Sequence, residues 1–153
     1  MDDSQLILCL GSNFEQEKNI QQAQKMLRLV LPNLCFTHNL WTEPIGVITP
    51  NYLNCLAYGT ISITYWDILK LTKRIEKRLG RSQKAASSTK ITIDIDILQY
   101  GNDKFHLSDW ERNYVKELLV EISTQYQDTK EKFLENTLIY FHLLFILVKK
   151  ITF

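Results

Sequence analysis

The stretch Lys90-Ile91-Thr92-Ile93-Asp94-Ile95-Asp96-Ile97-Leu98 alternates isoleucine with polar residues and is rich in β-branched side chains, as a β-strand requires. Successive strand side chains leave on opposite faces. Ile91, Ile93, Ile95 and Ile97 are therefore expected to bury one face, with Thr92, Asp94 and Asp96 on the other. Carboxylates at i and i+2 of one strand stand roughly 6–7 Å apart at the backbone. Like charges that close raise each other's pKa unless a cation lies between them. Oxygen donors aimed into one space suit magnesium, and a metal pair about 3.5–4 Å apart fits too. A solvated strand face carrying two acids is the alternative, and the pair alone does not decide.

Immediately upstream, Ile68, Leu71, Ile75 and Leu79 recur at helical spacing, with Lys70, Lys73, Arg74, Lys77 and Arg78 elsewhere around the helix. Gly80 has the place of the glycine that ends such a helix. Arg81-Ser82-Gln83-Lys84 and the small polar run to Thr89 then lead into the carboxylate strand. A basic loop there fits a lid over metal-bound phosphates, or a plain connection.

Farther back, Gln5 to Leu10 is a nearly continuous apolar run, the pattern of a buried central strand. It ends in the turn residues Gly11-Ser12-Asn13. Ser12 and Glu15 have capping-box spacing, and Ile20, Ala23, Leu27 and Val30 follow with a helical period until Pro32-Asn33. One glycine and no Gly-Lys-Ser/Thr exclude a Walker A loop or dinucleotide fingerprint here. Leu34 to Trp41 reads as extended, and Thr42-Glu43-Pro44-Ile45-Gly46 as a loop whose backbone groups can meet a flat polar ligand. A second loop, Val47 to Asn51, precedes the strand Tyr52 to Tyr58. Tyr52 and Asn54 share one face of it, where they can stack on and read a heterocycle or stand as an inert pair. The order strand, helix, strand, strand, helix, strand predicts an α+β fold of the ferredoxin-like βαββαβ type: an antiparallel sheet with helices packed over it.

A chain of 153 residues is one domain by length, and a net charge of +1 gives no electrostatic case for nucleic acid or an anionic membrane. Cys9, Cys35 and Cys55 are too few and scattered for a disulfide framework or metal knuckle, which fits a reducing cytosol. The acidic start Met1-Asp2-Asp3 is unlike a secretory signal, so a cytoplasmic location is expected.

Taken together, Gly11-Ser12-Asn13, Thr42-Glu43-Pro44-Ile45-Gly46, Tyr52-Leu53-Asn54, Glu76 before Gly80-Arg81, and Ile93 to Leu98 resemble the 6-hydroxymethyl-7,8-dihydropterin pyrophosphokinase family. His106-Leu107-Ser108-Asp109-Trp110-Glu111-Arg112-Asn113-Tyr114-Val115 resembles its His-Pro…Glu-Arg-x-Phe-Val segment, and the likeness runs in order over roughly residues 5 to 122. The resemblance implies transfer of pyrophosphate from ATP to the hydroxymethyl of a reduced pterin in folate synthesis, by a monomer or weak dimer acting on small molecules.

The resemblance also assigns roles. Asp94 and Asp96 would hold two magnesium ions on the ATP phosphates. Thr42, Pro44, Ile45, Gly46, Tyr52 and Asn54 would meet the pterin, with Tyr114 where the family stacks a phenylalanine. Arg81, Lys84, His106 and Arg112 would contact nucleotide or phosphates, and Glu76 and Ile97 would border the ATP site. Arg81 and Lys84 join the two aspartates as the catalytic set, because positioning and charge neutralisation are most of what phosphoryl transfer requires.

The chain departs from the family where Ile91 replaces an arginine, Gln83 replaces another, and Ser88, Thr89 and Leu107 replace an aromatic, a glycine and a proline. Residues 123–153 form an extension expected to be helical, and the apolar run Leu138 to Val148 is too short for a span needing about 20 residues. Beside the active transferase stands a second reading, a relative that binds pterin or nucleotide without efficient transfer. A ferredoxin-like regulatory domain unrelated to folate leaves the Asp94/Asp96 pair and the Thr42–Asn54 region without a role.

Overall fold

The structure is a computed structural model that describes residues 3–44, 49–81 and 89–151, with side chains described as far as residue 139 except 129 and 133. Two compact units divide the chain, Met1–Leu119 and Val120–Phe153. The boundary expected after residue 122 falls inside one helix.

In the first unit the strands are β1 (Ser4–Ser12), β2 (Cys35–Phe36), β3 (Leu40–Thr42), β4 (Tyr52–Ile61), β5 (Asp94–Tyr100) and β6 (Asp103–Lys104). The helices are α1 (Gln16–Val30), α2 (Tyr65–Arg78) and the first turns of α3 (Asn113–Ile151). The sheet order is β2-β4-β1-β5-β6, with β3 also on β4 and every pairing antiparallel. This is the expected ferredoxin-like α+β arrangement, with the second strand divided into β2 and β3 and a hairpin strand added after Gly101 (φ +58). The second unit is the remainder of α3.

Alternation decides the core. Leu6, Leu8 and Leu10 of β1, Leu53, Cys55 and Ala57 of β4, and Ile93, Ile95 and Ile97 form one cluster with Ile20, Ala23 and Leu27 of α1 and Ile68 and Ile75 of α2. Removing such apolar surface from water stabilises by roughly 25 cal/mol per Å². The residues between them, Gly11, Cys9, Asn54, Leu56, Asp94 and Asp96, face the other side. Cys9, Leu56 and Leu98 are buried there, as are Val115 and Leu118 of α3.

Four details differ from the sequence reading, each for a local reason. The carboxylate strand starts at Asp94 rather than Lys90. Asn13 and Ser12 bind the preceding backbone instead: Ile91 N–H donates to Asn13 Oδ1 (2.5 Å), Asn13 N–H to Ile91 O (3.0 Å) and Ser12 Oγ to Thr92 O (2.6 Å). Ile91 is consequently half-buried and outside the core cluster. Ser12 is thereby unavailable as a cap, and α1 starts after Glu15, whose backbone is left-handed (φ 43°, ψ 47°). Leu31, not Val30, completes the apolar face of α1. Finally, the β1–β5 register shifts between Ile7 and Leu8, passing over Leu98. This bulge lets Ile97 and Leu98 both be buried.

α2 ends as its sequence promised. Gly80 (φ +95) allows its own N–H to reach Lys77 O (3.1 Å) and Arg81 N–H to reach Glu76 O (3.0 Å), the paired bonds of a Schellman turn. That turn delivers Arg81 to the start of β5.

Candidate active site

Pairing across three strands assembles one edge of the site. Gly11 is opposite Asp94 on one side and Asn54 on the other, and Cys9 is opposite Asp96 and Leu56. Above this floor opens a cleft of about 550 Å³, lined by residues of β1, β3, β4, β5, the 3-10 turn Asp109–Glu111 and the start of α3. Its volume is that of a small-molecule pocket.

At one end the walls suit a flat ring. Trp41, Tyr52 and Tyr114 are all lining residues. Asn54, 5% exposed, donates from Nδ2 to Thr42 Oγ1 (2.8 Å), which orients the amide. Gly11 is required beneath it, because a Cβ there would stand 2.8 Å from Asn54 Oδ1. Burial raises the Tyr52 pKa, with the charge of Asp94 adding to it. Tyr114 Oη lies 3.7 Å from Cys9 Sγ. Burial keeps both neutral, raising the Tyr114 hydroxyl and pushing the Cys9 thiol up to about 12.

The other end is ionic. Asp96 has its pKa raised by burial first and by the Asp94 charge second, while His106 and Lys73 oppose the shift. His106 Nε2 lies 3.8 Å from Asp96 Oδ1. His106 reaches that position through a left-handed backbone (φ 51), after a segment anchored by aromatic contacts. Phe105 stacks on Tyr65 (4.9 Å between centroids), and Trp110 Nε1–H donates to Phe105 O (3.0 Å). Asp109 holds Arg112 at the cleft through its Nε (2.8 Å). Donor atoms of Asp96, His106 and Asp109 all lie within 4.8 Å of one another.

Arg81 meets Asp94 in an ion pair and also donates to Ile93 O (3.2 Å) and Glu76 Oε1 (3.3 Å). Burial works against its charge, but the hydrogen bond and charge of Asp94, then Glu76, outweigh this and raise its pKa. Glu76 is buried between α2 and β5. Its Oε1 accepts the Ile95 N–H (2.9 Å) and Lys73 Nζ (2.9 Å).

The structure thus brings together Asp94, Asp96, Arg81, Thr42, Pro44, Tyr52, Asn54, Tyr114, Arg112 and His106. Glu76 stands behind β5 as a strut. Ile97 points the other way, 3% exposed in the core, because odd positions of β5 face the helices. Ile45, Gly46 and Lys84 lie outside the described residues. Sequence reasoning missed Trp41, Asp109 and Lys73 as site neighbours. The two charged ones carried a faint signal, since each stands three residues before its partner, Arg112 and Glu76.

Fold and cleft together define a ferredoxin-like domain with an aromatic-walled small-molecule site that ends on paired carboxylates. The model of the 7,8-dihydro-6-hydroxymethylpterin-pyrophosphokinase family matches residues 7–124, and the chain belongs to that family. It is 28% identical over 132 residues to a folate synthesis bifunctional protein of Arabidopsis thaliana, covering 77% of this chain and 27% of that protein. A mitochondrial folate synthesis bifunctional protein of Pisum sativum is 28% identical over 131 residues, covering 78% of this chain and 25% of that protein. The chain therefore spans about a quarter of the length of these plant relatives. A 2-amino-4-hydroxy-6-hydroxymethyldihydropteridine pyrophosphokinase of Porphyromonas gingivalis is 29% identical over 130 residues, covering 76% of this chain and 88% of that protein.

Proposed function

We propose that the protein transfers the terminal pyrophosphate of ATP to 6-hydroxymethyl-7,8-dihydropterin, releasing AMP, in folate synthesis. The observation that carries this is the cleft itself, in which the ring-sized aromatic end and the Asp94/Asp96 end are continuous. The pterin ring would lie against Tyr52 and Tyr114, with Asn54 and the Thr42–Gly46 backbone reading its polar edge. The hydroxymethyl oxygen gives up its proton to solvent and bonds to the β-phosphorus as the bond from that phosphorus to the AMP oxygen breaks. AMP leaves with the electron pair. Holding the two substrates in one cleft converts their encounter into a nearly unimolecular step.

The residues fit magnesium. Asp94 and Asp96 offer oxygen donors on one strand face, and the Asp96 pKa is raised first by burial and then by the neighbouring Asp94 charge, the part that a cation would relieve. Two ions held there would supply charge neutralisation for the phosphate oxygens. Arg81, His106, Arg112 and Lys84 would add cationic or hydrogen-bonding contacts to the phosphates, and Glu76 would support the ATP-side wall. We assign the chain as a cytoplasmic monomer or weak dimer serving small molecules. Among the described residues no helix is long and apolar enough to cross a membrane.

One observation favours the second reading, a relative that binds without efficient transfer. Ile91 stands where the resembled family has arginine, and Lys90 stacks its Nζ over Phe14 (4.8 Å). A large rise in turnover on Ile91→Arg would support it. Mass analysis of the pterin after incubation with ATP and magnesium tests the main proposal. A product carrying pyrophosphate is expected, and unchanged pterin would reject transfer.

A further inference from the structure

We propose that Arg81 is the resident counter-ion of Asp94 and is exchanged for metal as nucleotide arrives, so that nucleotide and metal bind cooperatively. This rests on the metal–nucleotide reading above and adds how that site is regulated.

Arg81 is held at Asp94 through one guanidinium nitrogen and stays open to solvent. That nitrogen, NH1, serves Asp94, Ile93 O and Glu76 at once, and the side chain is 34% exposed. The Schellman turn fixes the Arg81 backbone, while the long side chain can swing without disturbing it.

The two acids respond differently to its departure. Glu76 keeps both Lys73 contacts (2.9 and 3.1 Å) and the Ile95 N–H. For Asp94, the ion pair seen among the described residues is the one with Arg81. Departure therefore leaves Asp94 short of a cation, which a divalent ion can supply.

A metal arriving alone meets a positive charge already on its ligand, so it binds weakly. A polyphosphate changes this, because its oxygens match the guanidinium fork. Arg81 then moves to phosphate, and Asp94 turns to the metal. By linkage each partner strengthens the other equally.

Mn²⁺ uptake, read by the loss of the free-ion electron paramagnetic resonance signal, tests this with and without a non-hydrolysable ATP analogue. Arg81→Met is expected to bind Mn²⁺ alone about tenfold more tightly than the unmodified protein, allowing for solvent screening. The enhancement produced by the analogue should shrink by a similar factor. Arg81→Lys keeps a charge near Asp94 and should retain much of the original coupling. Unchanged or weaker Mn²⁺ binding by folded Arg81→Met, with the enhancement intact, overturns the proposal alone. No Mn²⁺ uptake by the unmodified protein even with analogue overturns the metal reading as well. Should Arg81→Met not fold, side-chain ¹⁵N signals of Arg81 in the unmodified protein decide. A shift on adding Mg²⁺ and analogue supports the exchange, and no shift rejects it.

Discussion

Glu76→Ala tests the strut that fixes β5 to α2. Truncation leaves the Ile95 N–H, a buried backbone donor, without its acceptor, at a cost of about 1–3 kcal/mol. Loss of the ion pairs adds less than a fully buried network would, because Lys73 is 50% and Arg81 34% exposed and both can rehydrate. Arg81 also retains Asp94. We therefore expect a total of about 2–4 kcal/mol, and about 1–2 kcal/mol for Glu76→Gln, whose amide oxygen can still accept from Ile95. In urea unfolding the Ala variant should lower the midpoint by about 1–2 M at an unchanged slope. Amide exchange at Ile95 should speed up in Ala far more than in Gln. Equal losses for Ala and Gln, or a loss below about 0.5 kcal/mol for Ala, would refute the assignment of Glu76 as an acceptor for β5.

Gly11→Ala places a Cβ 2.8 Å from Asn54 Oδ1, so the amide must leave Thr42. We expect about 1–2 kcal/mol of destabilisation and a raised pterin KM, both reduced when Asn54→Ala is added. Strict additivity in this cycle would contradict the contact. Burial first and the Asp94 charge second raise the folded pKa of Asp96 above its ordinary carboxylate value, so the native state binds its proton more tightly than the unfolded chain. Its relative contribution is full below that value and is lost as pH rises through the folded pKa. In chelator, Asp96→Asn should therefore be more stable than the unmodified protein at pH 7, with the gain fading in acid. A pH-independent difference would count against the shift. Cys35 is exposed, whereas Cys9 and Cys55 are buried with thiols pushed up to about 12 and about 11. A thiol reagent should label Cys35 quickly and the other two only on unfolding. Prompt reaction of all three would show an open floor.

The alternation through Ile93, Asp94, Ile95, Asp96 and Ile97 was legible because period two and burial of one face are properties of the sequence itself. Gly80 was legible for the same reason, since only a residue tolerant of positive φ ends α2 in that turn. What escaped depended on partners distant in sequence. Ser12 read as a cap until residues 91 and 92 arrived to claim its turn. Lys90 to Ile93 had strand composition, but Asn13 bonds replaced the ladder. The bulge at Leu98 obeys β1 register, which no local pattern encodes. Among site residues, Asp94, Asp96 and Asn54 could be placed from face alone. Ile97, taken for the ATP side, obeys the same rule and lies in the core. Asp109 and Lys73 matter through side-chain pairs that became visible only with the fold.

The most direct test of pyrophosphate transfer is AMP formation by the purified protein with ATP, magnesium and 6-hydroxymethyl-7,8-dihydropterin, with Asp94→Ala alongside. The account predicts AMP release that requires the pterin and disappears in the variant. Release that ignores the pterin, or persists undiminished in Asp94→Ala, would contradict it.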